Sequence, residues 1–137
     1  MNEVQTFLDL LLGAALGGLY VALLRPLPRP RQDALFAAGL GGAALVYVPF
    51  ALAGAAASWV PIEVAGFVAY TVVAVLGARR SRWLLAFGWA GHALWDFPLH
   101  AAPAAGFVPG WYPAACLAFD VVVAGYLAAS ARAMSGR

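Results

Sequence analysis

Apolar residues run along this chain in long blocks rather than in the narrow stripe of a water-soluble amphipathic helix. Five blocks stand out: about Gln5 to Leu24, Ala34 to Val60, Ile62 to Ala78, Trp83 to Ala102 and Pro113 to Ala131. Each approaches the roughly 20 apolar residues that carry a helix across a hydrocarbon core. Proline, glycine or arginine marks the breaks, as in RPLPRPRQD, RRSR and PAAGFVPGWYP. The pattern predicts an all-α fold: an integral membrane bundle of five transmembrane helices, with residues 1–137 forming a single domain. The proline-rich RPLPRPRQD stretch is expected to be a loop that cannot be helix throughout. Pro49 and Pro98 fall inside predicted helices, where proline removes a backbone donor, and are expected to kink them.

Composition agrees with the pattern. The chain is 64% hydrophobic and 10% charged, against about 25% charged in an ordinary soluble domain. So little polar surface cannot cover a water-soluble globule. The net charge of +2 comes from dispersed arginines, and nothing in it points to nucleic acid. Cys116 is the single cysteine, so no internal disulfide is possible. The opening MNEVQTFLDLLL lacks a basic leader, so the first block is expected to remain as a helix.

Charge placement then orients the bundle. Arg25, Arg29, Arg31, Arg79, Arg80, Arg82, Arg132 and Arg137 fall in the first loop, the third loop and the C-terminal tail. With five helices these regions share one side, which the positive-inside rule makes cytoplasmic. The N-terminus is then outside, the C-terminus is cytoplasmic, and the expected location is the cytoplasmic (inner) membrane, crossed several times. Trp59 and Trp111 would mark the outer interface and Trp83 the inner one.

The candidate chemistry lies in GHALWDFPLH, residues 91–100. Counting from Trp83 at about 1.5 Å per residue, His92 lies roughly 14 Å deep, Asp96 one turn further out and His100 near the outer surface. Residues four apart share a helix face, so these three can form one stripe, with Pro98 interrupting it. Asp120 on the fifth helix, Glu63 at the start of the third and Asp9 on the first also fall in the outer half. No arginine shares that half. A carboxylate in the bilayer is costly unless paired, protonated or hydrated. Compensation must come from His92 and His100, from protons or water, or from a bound cation. Cys116 sits four residues before Asp120, so thiol and carboxylate can share a face.

The residues Gly88, Trp89, His92, Trp95, Asp96 and His100, followed by Cys116 and Asp120 and preceded by Glu63, are similar to a known pattern. It resembles that of a family of small multi-helix bacterial membrane proteins of unknown function. That family carries a His-x-x-Trp-Asp motif and a following Cys-x-x-x-Asp helix. This chain departs from it at Pro98 and Leu99, where members tend to carry a histidine. The resemblance covers about the C-terminal half and implies no particular reaction.

Three functional readings stay open. The first is an enzyme acting on a membrane-dissolved lipid or isoprenoid, by metal-assisted or acid–base chemistry. Its catalytic set would be His92, Asp96, Asp120 and Glu63. The metal set would be His92, Asp96, His100 and Asp120. Mixed imidazole and carboxylate does not separate zinc, iron and manganese. The second is a divalent-cation or proton binding or transport protein, although the helices offer little polar trail toward the cytoplasm. The third is a structural or partner subunit whose polar groups only fix packing. Gly13 and Gly17 form a GxxxG, a weak pointer to a homo-oligomer.

Overall fold

The computed structural model describes residues 2–54, 56–100 and 105–136. It contains five helices: α1 (Glu3–Leu24), α2 (Arg29–Ala53), α3 (Val60–Arg80), α4 (Arg82–His100) and α5 (Tyr112–Ser135). Four of them, α1, α2, α3 and α5, are long and apolar enough to cross a membrane. The exception is α4, whose 19 residues carry Arg82, His92, Asp96 and His100.

The helix boundaries move from the sequence expectation at three places, each around a proline. RPLPRPRQD is not loop throughout, because α2 begins at Arg29 with Pro30 in its first turn. An N–H has no helical partner there, so its absence costs nothing. The second block does not continue to Val60: α2 stops at Ala53, and Val60 instead opens α3, with Pro61 in the first turn. Tyr112 opens α5 with Pro113 placed the same way. Only Ser81 separates α3 from α4, in an extended conformation, and its hydroxyl accepts from the Leu84 N–H at 3.4 Å. The expected end of the fourth block at Ala102 lies outside the described residues. Pro49 and Pro98 both sit within helices.

α4 packs against α5, α3 and α2, while α1 packs on α5 and α2 on α3. The Tyr20 hydroxyl donates to the Leu35 carbonyl at 2.8 Å and joins α1 to α2. α1 closes on α5 through Gly13 and Gly17, where an added Cβ would collide with the backbone of Ala115 and crowd that of Phe119. The GxxxG face is therefore used inside one chain. The apolar core gathers Phe36, Leu40, Leu85, Trp89, Val123 and Leu127. The outside is apolar as well: Phe7, Leu8, Leu11, Leu19 and Leu23 leave about half or more of their surface exposed along α1. An apolar exterior of this extent suits lipid rather than water.

Each end of the bundle is joined by its own polar contacts. At the arginine-rich end, Arg82 is buried. Its Nη2 donates to Gln32 Oε1 at 2.7 Å, and its Nε lies 3.2 Å from Asp33. Gln32 Nε2 donates to the carbonyls of Arg25 and Leu27, and Arg82 lies over the rings of Phe36 and Tyr126. This junction ties the last turn of α1 to the first turns of α2 and α4 and to α5. The other end brings together Tyr47, Glu63, His100 and Tyr112. Consecutive helices therefore run in opposite directions, and the arginines flanking the helices gather at one end.

Candidate functional site

His92 and Asp96 lie one turn apart on the buried face of α4, and Asp120 reaches them from α5. His92 and Asp96 are fully buried and Asp120 is 1% exposed. His92 Nδ1 stands 2.8 Å from Asp120 Oδ2 and 3.3 Å from Asp96 Oδ2. One ring nitrogen thus faces two carboxylates. Among the described residues, His92 Nε2, both Asp96 oxygens and Asp120 Oδ1 have no hydrogen-bond partner. An unmet buried polar atom costs about 1–3 kcal/mol, more when charged. Ligand atoms from His92, Asp96 and Asp120 all lie within 4.8 Å of one another, so a single ion can reach all three. One imidazole and two carboxylates leave further positions on zinc, iron or manganese open to water or substrate.

Glu63 and His100 form a second pair. His100 Nε2 lies 2.9 Å from Glu63 Oε1, and both residues are buried. His100, expected near the outer surface, is thus enclosed: Tyr47 stacks on its ring at 4.0 Å, and Trp59 and Phe107 also border it. It partners Glu63 rather than the other three ligands. Pro61 opens α3 and places Glu63 in its first turn, where an acid complements the helix dipole.

Tyr47 of α2 stands between the two groups. Its ring lies 6.3 Å from that of His92 and 4.0 Å from that of His100, and its buried hydroxyl has no partner among the described residues. Tyr47 and Cys116 border the Asp96 carboxylate. Tyr70 of α3 meets the His92 ring edge to face at 5.0 Å. Asp9 is buried on α1 and accepts from Gln5 Nε2 at 2.8 Å. It does not join either group.

Sequence spacing accounts for the His92–Asp96 contact and for the four-residue step from Cys116 to Asp120. It does not reveal Tyr47, or the Gln32–Asp33–Arg82 junction, because these meet across helices far apart in the chain. A tyrosine inside an apolar block and a glutamine beside a helix start were the only signals.

Fold and site together define a class: a helical protein of membrane-spanning composition with a buried imidazole–carboxylate cluster. Its sequence matches a family of unknown function, DUF6010, over residues 8–133, and the chain belongs to that family. No curated protein and no solved structure matches it.

Proposed function

We propose that this protein is a multi-pass enzyme of the cytoplasmic (inner) membrane, acting on a membrane-dissolved lipid or isoprenoid at a divalent metal ion. His92, Asp96 and Asp120 hold the ion, and the Glu63–His100 pair beside them serves acid–base steps. One observation carries this reading: three buried ligand atoms lie within 4.8 Å of one another. Around them, four polar atoms are unpartnered among the described residues. A cluster meant only to fix packing satisfies its polar atoms mutually. This one leaves Asp96 Oδ1 and Oδ2 and Asp120 Oδ1 unpartnered beside the His92 Nδ1 edge. A bound ion would take up carboxylate oxygens left unpartnered, balance two carboxylates, and polarise a substrate oxygen or lower the pKa of a bound water. The bundle end holding this site would face outward, because the arginines crowd the opposite end. The Arg82 junction closes that opposite end with buried contacts, which favours an enzyme over a through-membrane transporter.

The test is metal content of the purified protein by elemental mass spectrometry, after loading with zinc, iron or manganese. The expected result is near-stoichiometric metal in the wild type, lost in His92→Ala and in Asp96→Asn while both stay folded. Metal-free protein after all three loadings would overturn the reading. Folded His92→Ala and Asp96→Asn that retain the ion would do the same.

A further inference from the structure

A cavity of about 290 Å³ lies between α1, α2 and α5, with Trp89 of α4 on its wall. Tyr20, Ala43 and Phe119 line it, and so do Cys116 and Asp120. Leu16 also borders it and is 47% exposed, so the cavity opens onto the bundle's apolar exterior. Its volume is about twice that of an apolar cavity known to hold benzene, about 150 Å³. Asp120 gives the space its direction. It is 1% exposed, it belongs to the His92–Asp96–Asp120 cluster, and its Oδ1 has no partner among the described residues.

The charges around the cavity restrict the head of a ligand. Asp9, Glu63, Asp96 and Asp120 all lie away from the arginine-rich end of the bundle, and among the described residues no arginine pairs with them. A head seated there meets Asp120 Oδ1, an acceptor with no partner among the described residues. An ionised phosphate brings that oxygen no donor, and two carboxylates that balance a divalent ion leave no net charge to attract a cationic head. An uncharged hydroxyl brings the donor without a charge. It can donate to Asp120, and the Tyr112 side chain beside Cys116 also borders the cavity.

We propose that this cavity binds the apolar arm of an uncharged, hydroxyl-headed membrane molecule, with the hydroxyl at Asp120 and the arm running toward Tyr20 and Trp89. The proposal rests on the enzyme reading above and narrows its substrate class to long-chain or isoprenoid alcohols.

The experiment uses the metal-loaded full chain in lipid nanodiscs. The probe is decyl alcohol carrying a diazirine at its far carbon, photolysed and mapped by peptide mass spectrometry. Label is expected on Tyr20, Trp89 and Phe119. Unlabelled decyl alcohol should compete about tenfold better than decyl phosphate or decylamine, a difference of about 1.4 kcal/mol. Ala43→Leu fills the cavity and Leu16→Trp covers its outer edge. Each is expected to remove most of the label while leaving the metal content unchanged. Label spread over the exposed leucines of α1, and equal in wild type and both variants, would overturn the proposal. Equal competition by the phosphate or the amine would overturn the hydroxyl assignment. Focused label on a chain that takes up no zinc, iron or manganese would reject the metal reading and keep the cavity. Full metal with diffuse label would do the reverse.

Discussion

At the residue scale, the chemistry turns on one imidazole edge. His92 Nδ1 faces Asp96 and Asp120 together, so a single N–H cannot satisfy both acids. Asp96 and Asp120 stand at positions where the sequence alone already demands compensation, since no arginine reaches that half. Tyr47 is the residue the sequence underplays. It borders Asp96, stacks on His100, and can orient the one against the other. A group that orients a ligand typically changes metal affinity about 10–100-fold when removed. Tyr47→Phe keeps the ring and its stacking but deletes the hydroxyl. It is expected to weaken zinc affinity within that range, measured by competition with a chromophoric chelator. An unchanged affinity would reduce Tyr47 to a packing role. Glu63→Gln tests the division into two groups, and it should retain the ion because the Glu63 carboxylate pairs with His100 rather than with His92. Loss of metal in that variant would make the two groups a single site.

At the element scale, α4 is the helix least suited by composition to face lipid and the one most enclosed by others. Its polar face meets α5 at Asp120, while Trp89 donates to the Phe36 carbonyl of α2 at 3.2 Å. The arginine-rich end holds α4 through Arg82, so the site's helix is anchored at one end and carries chemistry in its other half. α1 contributes through backbone proximity, because Gly13 lets it lie directly on Ala115. Small residues permit such approach between membrane helices. Gly13→Leu should push α1 away from α5, and forcing extra atoms into a packed contact costs about 1–3 kcal/mol. A lowered midpoint of thermal unfolding in detergent would register that loss. An unchanged midpoint would mean that α1 is not seated as described. Because Gly13 also borders the cavity, the same variant should disturb decyl alcohol labelling before it disturbs metal content.

At the scale of the whole molecule, the bundle is electrically divided. Arginines flank the helices at one end, and the acids of the candidate site occupy the other half. The orientation proposed from this asymmetry can be measured directly. With Cys116→Ala as background, Asn2→Cys is expected to react with a membrane-impermeant maleimide in intact cells. Ser135→Cys should react only after the cells are opened. The reverse pattern would invert the bundle and turn the site toward the cytoplasm.

Much of this was legible before any coordinates. Block length and the absence of charge establish five helices, since a chain with so few polar groups can hide its backbone only in helices surrounded by lipid. The same scarcity made His92, Asp96, Asp120 and Glu63 conspicuous, and the four-residue step put two of them in contact. Tertiary structure decided everything that crosses between helices. It paired Asp120 with His92 and Glu63 with His100, brought Tyr47 between them, used Gly13 internally and opened a cavity against Asp120. Local spacing is dictated by the helical repeat and is written in the sequence. Partners on different helices depend on crossing and rotation, which are set by how side chains of all five helices fill their shared interior.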